Sequence, residues 1–169
     1  VTVLTAQNDL TLAAADNIEL KTAPSGLDSA GGHLVLRGGT DVGEGVPDGG
    51  TFIGVAGTTL SSFLDTTISG QGAAAGAMSV SGLTSTGSVG ISQDADISIV
   101  GTGISAVNDI SVTSAAAVTV AVDVGSSVDS SGGEIFLESG TGDLTLTTGT
   151  LTAGTVTLTS NAGLVDIKS

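Results

Sequence analysis

A short unit recurs along this chain, in which a small or polar turn residue precedes an apolar, a variable and a second apolar residue. The apolar–variable–apolar part has a period of two, so its first and third side chains point to one face and the middle one to the other. This is the pattern of a short β-strand. Eleven units fit it: Leu10–Leu12, Ile18–Leu20, Leu34–Leu36, Val89–Ile91, Ile97–Ile99, Ile110–Val112, Val118–Val120, Ile135–Leu137, Leu144–Leu146, Val156–Leu158 and Val165–Ile167.

The units themselves repeat at a longer interval. Val89, Ile110, Ile135 and Val156 open successive units of one series, and they are separated by 21, 25 and 21 residues. An interval of this length with two or three short strands describes one coil of a β-helix, which buries its apolar residues only when other coils stack on it. The sequence therefore predicts an all-β fold, a right-handed parallel β-helix (β-solenoid) with coils of about 21–25 residues and about seven coils over residues 1–169.

The period of two also predicts the direction of each side chain. Ile110, Ile135 and Val156 are expected to stack in one internal ladder of parallel strands about 4.8 Å apart. The side chains expected to face inward are those of Leu10, Leu12, Ile18, Leu20, Ile110, Val112, Val118, Val120, Leu144, Leu146, Val156 and Leu158. Those expected to face outward are Thr11, Glu19, Ser111, Thr119, Thr145 and Thr157.

Composition separates this fold from its alternatives. Aromatic residues are 2% of the chain, with no Trp and no Tyr, whereas the 27 glycines suit many tight turns. A β-sandwich also has regular strands, but its core usually contains large aromatics and its hairpins use Asn-Gly or Asp-Gly turns, of which Asp48-Gly49 is the only example here. A left-handed β-helix would favour a six-residue period, which the spacing does not show. No stretch has the 3.6-residue period of a long helix.

The segment near residues 38–51 interrupts the strand pattern. It is rich in glycine and acidic residues and is predicted to be a surface loop inserted into one coil. Strand fragments resume at Phe52–Val55 and Met78–Val80, while the Ala/Gly-rich residues 70–77 suit a turn or a coil corner.

The charge balance excludes several partners. The net charge is −14, and the strong bases are Lys21, Arg37 and Lys168 alone. A nucleic-acid groove and attachment to an anionic bilayer both need clusters of such bases. No apolar run is long enough to span a membrane, and the absence of cysteine rules out disulfides and thiolate metal sites.

Three units, Asn8–Leu12, Asn108–Val112 and Gly142–Leu146, resemble the repeats of filamentous-haemagglutinin-like bacterial exoproteins and adhesins. The resemblance covers most of the chain outside residues 38–87. It implies a secreted or cell-surface bacterial protein in which the β-helix serves as a stalk. The Asn-Pro-Asn signature of that family's secretion module does not occur in this sequence.

Two groups of carboxylates are candidate sites. Asp41, Glu44 and Asp48 share the inserted loop and could supply oxygen ligands for Ca²⁺, although neither an EF-hand nor a Gly-Gly-x-Gly-x-Asp repeat is present. Asp94 and Asp96 lie two residues apart and could act in acid/base chemistry. The competing interpretation is that the carboxylates of both groups lie in turns and are simply solvated.

His33, the only histidine, has no sequence partners that would complete a metal site or a catalytic triad, so it is expected to be a surface residue. Thr-x-Thr units at Thr145–Thr147 and Thr155–Thr159 could form a flat array facing ice or sugar. The competing explanation is the preference of Thr for the outer face of any strand.

Two classes of function follow. The first is a structural or adhesive β-helix without enzymatic activity or cofactor, a rigid stalk or filament segment that could contact host or cell-surface glycans. The second is a β-helix that binds or cleaves polysaccharide; lyases of that kind use a base with cation-assisted or Arg/Lys neutralisation of a uronate, which three bases support poorly. Because both ends of the sequence have strand patterns, we expect a fragment whose terminal layers are covered by the continuing chain or by identical copies stacked end to end.

Overall fold

Stacked parallel strands joined by turns form the computed structural model, which describes residues 2–20, 25–39, 50–55, 57–71 and 76–168. Within these ranges there are eighteen strands and no helix, and hence no helix able to span a membrane. The strands are β1 (Thr2–Ala6), β2 (Leu10–Ala13), β3 (Ile18–Leu20), β4 (Ser25–Ser29), β5 (Leu34–Gly38), β6 (Phe52–Gly54), β7 (Thr59–Ser62), β8 (Thr66–Gly70), β9 (Met78–Ser85), β10 (Val89–Gln93), β11 (Ile97–Ala106), β12 (Ile110–Ser114), β13 (Val118–Ser130), β14 (Glu134–Ser139), β15 (Leu144–Thr148), β16 (Thr150–Thr152), β17 (Thr155–Ser160) and β18 (Val165–Ile167).

Each coil has three faces. Face 1 is a seven-stranded parallel sheet in the order β2-β5-β8-β10-β12-β14-β17. Face 2 contains β3, β6, the first halves of β9, β11 and β13, then β15 and β18; face 3 contains β1, β4, β7, the second halves of β9, β11 and β13, and β16. Because β9, β11 and β13 continue around the corner between faces 2 and 3, these two faces form one eleven-stranded sheet.

The predicted fold class is confirmed, since the chain is an all-β parallel β-solenoid of about six turns with coils of about 23 residues. The sequence predicted about seven coils. Seven strands are stacked on face 1, and the six steps between them account for the smaller number of turns.

Inward side chains form a ladder inside each face; the ladders of faces 2 and 3 are apolar throughout, whereas the face 1 ladder that contains Ile110 includes the buried Thr66. The predicted stack of Ile110, Ile135 and Val156 is confirmed as part of the face 1 ladder, because all three occupy equivalent positions in parallel strands. On face 2 the ladder is Ile18, Phe52, Met78, Ile97, Val118, Leu144 and Val165. On face 3 it is Leu4, Leu27, Leu60, Leu83, Ile104, Val128 and Leu151.

The predicted inward and outward sets remain on separate faces of the strands. Inward residues of the middle rungs, such as Ile110 and Val118, are fully buried. Leu10 in the first rung is also buried, but most inward residues of the terminal rungs are partly exposed, with Val156 at 39%, because a terminal rung has a neighbour on one side only. Of the predicted outward set, Thr11, Glu19 and Thr157 are exposed, whereas Ser111, Thr119 and Thr145 are half-buried.

A glycine with positive φ turns the chain from face 2 to face 3. These residues are Gly57, Gly82, Gly101, Gly103, Gly125 and Gly149, with φ between 60° and 92°. A side chain at such a position would clash with its own backbone, so glycine is required. The corner leaves little space as well, because a Cβ on Gly103 would lie 2.1 Å from the Ser127 carbonyl oxygen of the next rung.

The predicted loop near residues 38–51 coincides with a longer coil. The equivalent residues Leu34 and Thr66 are 32 positions apart, against 24 between Leu10 and Leu34. Residues 40–49 lie outside the described ranges. Gly50, which follows them, exchanges two backbone hydrogen bonds with Gln71, so the chain returns to the corner between faces 1 and 2.

Candidate functional site

The loop carboxylates Asp41, Glu44 and Asp48, proposed from the sequence as Ca²⁺ ligands, lie outside the described residues. Within the described part of the chain, no group of three or more His, Cys, Asp or Glu side chains could hold a metal ion. The Ca²⁺ hypothesis therefore remains a prediction from the sequence.

Asp96 has a structural role at a coil corner. Its Oδ1 accepts a hydrogen bond from the backbone N–H of Ala117 in the next rung, at 3.1 Å. Its neighbour Asp94 is exposed and lines a polar groove at the end of face 1 together with Glu138 and Asn161. The carboxylate of Asp96 thus fixes the spacing of two rungs, which is the turn function that competed with acid/base chemistry.

The same contact recurs at two corners of the coil. In each case an Asp or Asn side-chain oxygen precedes a strand and accepts the backbone N–H at the equivalent position one rung further on, over 2.8–3.1 Å. The pairs are Asp9 to His33, Asn17 to Thr51, Asp65 to Ser88, Asp96 to Ala117, Asp109 to Glu134 and Asp143 to Leu164. We call these contacts the corner caps. They satisfy backbone donors that would otherwise face solvent or a neighbouring turn.

His33 belongs to this corner system. Its backbone N–H donates to Asp9, its Nδ1 accepts the N–H of Asp65 at 3.3 Å, and Nδ1 lies 3.6 Å from Asp65 Oδ2. Its side chain is 44% exposed, as expected for a surface residue. The histidine therefore connects three successive rungs.

The Thr-x-Thr units do not form a single array. Thr145 and Thr147 are on face 2, in β15, whereas Thr155, Thr157 and Thr159 are on face 1, in β17. The sequence interpretation joined these units because they are close in the chain. The hypothesis of one array is wrong, because β16 on face 3 and two corners lie between β15 on face 2 and β17 on face 1.

Face 3 carries a polar column that the sequence analysis did not single out. Its outward position in every rung is a hydroxyl or carboxylate residue, and we call this column the face 3 row: Thr5, Asp28, Ser61, Thr84, Ser105, Asp129 and Thr152. The parallel register places successive members about 4.8 Å apart. In the equivalent columns, face 1 includes Val35 and Phe136 and face 2 includes Ile53.

Two grooves follow the face 3 row. The first is lined by Ser61, Thr84, Thr102, Ser105, Ser127 and Asp129 among others. The second is lined by Asp28, Ser61, Phe63, Thr84 and Thr86 among others. Because Ser61 and Thr84 line both, the two depressions adjoin along the row; together, from Asp28 to Asp129, we call them the face 3 groove. Four rung steps of about 4.8 Å give it a length of about 19 Å.

Comparison with known proteins gives no relative: no family model, no curated protein and no solved structure matches this chain. What the geometry establishes is a β-solenoid with capped corners and a polar groove along one face.

Proposed function

We propose that this chain is a rigid structural segment, a stalk or spacer, of a secreted or cell-surface bacterial protein with an adhesive role. The observation that carries the proposal is the stack of three internal ladders, which run from the first described rung to the last and are apolar except at the buried Thr66 of face 1. Each interior rung is covered by its neighbours on both sides over all three faces. A segment built in this way holds its two ends at a fixed distance.

Two features support rigidity. The corner caps join successive rungs by side-chain hydrogen bonds, in addition to the backbone ladders of the sheets. The core is close-packed, and Phe52, Leu34 and Ile110 are fully buried. Bending the rod would separate neighbouring rungs on one side and so weaken the hydrogen bonds and core contacts between them.

The location and the family remain proposals. They rest on the resemblance of units such as Asn108–Val112 to filamentous-haemagglutinin-like repeats. The net charge of −14 also suits a rod at a surface, because like charges keep neighbouring rods from aggregating laterally. The alternative of a polysaccharide-cleaving enzyme has less support. Of the bases in the described chain, Arg37 is on face 1 and Lys168 pairs with Asp166 in the last rung, so they do not converge on one site.

The spacer proposal is tested by a distance measurement. The chain contains no cysteine, so spin labels can be placed uniquely at Thr5→Cys and Thr152→Cys. These positions lie six steps apart along the face 3 row, about 29 Å at about 4.8 Å per step. We expect pulsed electron paramagnetic resonance to give a narrow distribution near that distance, which broadens in urea. A broad distribution in native buffer would contradict a rigid spacer.

End-to-end contacts are part of the same proposal. The terminal rungs expose ladder residues, with Leu4 49% and Val165 45% exposed. We propose that a further rung, from the continuing chain or from an identical copy, covers these layers, and copies in head-to-tail contact would form a filament. Light scattering and electron microscopy of the 169-residue chain provide the test. A stable monomer with both terminal rungs protected from hydrogen exchange would argue against it.

A further inference from the structure

The groove along face 3 has the chemistry of a surface for hydroxylated ligands. Its central residues, Thr84 and Ser105, are exposed, and within the described chain their hydroxyls make no hydrogen bond to protein. They can both donate and accept. Asp28 and Asp129 supply acceptors toward the two ends, and Asp28 already accepts a hydrogen bond from Ser61. The groove therefore offers a row of hydrogen-bonding groups at a regular spacing.

The charge of the groove selects among ligands. Neither the face 3 row nor the lining of the two grooves includes a Lys or an Arg, whereas two carboxylates are present. Polymers of uronate or sulfated sugar would be repelled, because nothing neutralises them. A neutral polymer with many hydroxyl donors matches the acceptors without that penalty.

An aromatic ring lies at one edge of the groove. The chain has three Phe and no other aromatic residue; Phe52 is fully buried and Phe136 half-buried, but Phe63 is 56% exposed. Its backbone is held from both sides, since its N–H donates to the Ser29 carbonyl at 2.9 Å and its carbonyl accepts from the Thr86 hydroxyl. An exposed ring on a hydrogen-bonded backbone, beside hydroxyls and a carboxylate, suits the apolar face of a sugar ring.

We propose that the face 3 groove binds an extended neutral polysaccharide, with Phe63 against one sugar ring and Asp28, Thr84, Ser105 and Asp129 hydrogen-bonded to hydroxyls along the chain. Successive sugars of an extended polymer advance by close to one rung step. The distance from Asp28 to Asp129 therefore accommodates about four of them. This inference rests on the proposed adhesive role and identifies the surface that would perform it.

Affinity gel electrophoresis of the full chain provides the test. Native gels contain hydroxyethylcellulose or galactomannan as neutral polymers, polygalacturonate as an anionic polymer, or chitosan as a cationic one. We expect retardation by at least one neutral polymer and none by polygalacturonate. The proposal is overturned if neither neutral polymer retards the protein, or if chitosan alone does so, because general attraction to the −14 charge would then explain binding.

Two pairs of variants locate the surface. Phe63→Ala and Thr84→Val remove the ring and a hydroxyl from the groove; Phe136→Ala on face 1 and Thr119→Val on face 2 make the same changes elsewhere. We expect the dissociation constant to rise about tenfold for Phe63→Ala and severalfold for Thr84→Val, with little change in the controls. Equal effects in groove and control variants would overturn the assignment. Circular dichroism checks folding, and if Phe63→Ala fails to fold, the near-isosteric Thr84→Val decides. The spin-label distance does not depend on glycan binding, so the spacer and the binding proposals can fail separately.

Discussion

Stacking, rather than residue type, determines how much a ladder residue contributes to stability. Val118 and Val165 allow a direct test, because they occupy the same ladder of face 2, joined through Leu144. Val118 is fully buried, whereas Val165, in the last described rung, is 45% exposed. Replacing each by Ala makes the same chemical change at two degrees of coverage.

The structure sets the expected magnitudes. Val→Ala removes two methyl-sized groups, about 1.6 kcal/mol of transfer free energy when fully buried. At Val118 the cavity left between two rungs adds to this, for a total loss of about 2–3 kcal/mol. At Val165 about half of the transfer free energy applies and no closed cavity forms, so we expect a loss of about 0.8 kcal/mol.

Urea denaturation followed by far-UV circular dichroism measures the difference, because the chain has neither Trp nor Tyr to serve as a fluorescent probe. Hydrogen exchange shows whether the loss is confined to the rungs around each substitution. Equal losses of unfolding free energy for the two variants, or a greater loss for Val165→Ala, would refute the argument that neighbouring rungs provide the burial.

Two further predictions concern the corners. The Asp109 carboxylate accepts the Glu134 N–H at 2.9 Å, so Asp109→Ala should lower the free energy of unfolding by about 1–2 kcal/mol. Asp109→Asn keeps an oxygen acceptor and should lose less than half of that. Equal losses in urea titrations would show that the cap does not contribute to stability. Gly103→Ala combines a φ of 79° with a close approach to Ser127 and should lose about 2–4 kcal/mol, while its control Gly90→Ala, with open space around the new methyl group, should be neutral or slightly stabilising. Thermal melts that show the reverse order would contradict the corner geometry.

Much of the fold could be predicted from the sequence, because the inward positions of a solenoid are marked by patterns within a few residues and by a regular repeat. A strand unit such as Ile110–Val112 shows its inward face by alternation alone, and the interval to Ile135 gives the coil length. No large aromatic core obscures the pattern. The parallel register of these two residues follows from the same repeat.

The candidate site on face 3 was harder to predict from the sequence. The strands of face 3 contain a single large apolar residue followed by a polar and a small one, as in Leu60–Ser62, Leu83–Ser85 and Val128–Ser130. This short signal lacks the second apolar residue that marked the other units, so the third face of each coil was overlooked. The recurring Leu-Thr-Ser type of triplet could have revealed it.

What the sequence determined by itself is therefore the coil: strand units, inward positions and glycine-rich corners, all set by interactions within a few residues or by a regular repeat. What only the tertiary structure decided is which side chains share a surface. Thr147 and Thr155 are near neighbours in the chain but lie on different faces, whereas Asp28 and Asp129 lie 101 positions apart (28 to 129) on one row. The reason is physical: a corner rotates the chain to a new face within a few residues, and stacking returns it to the same face only after a full coil.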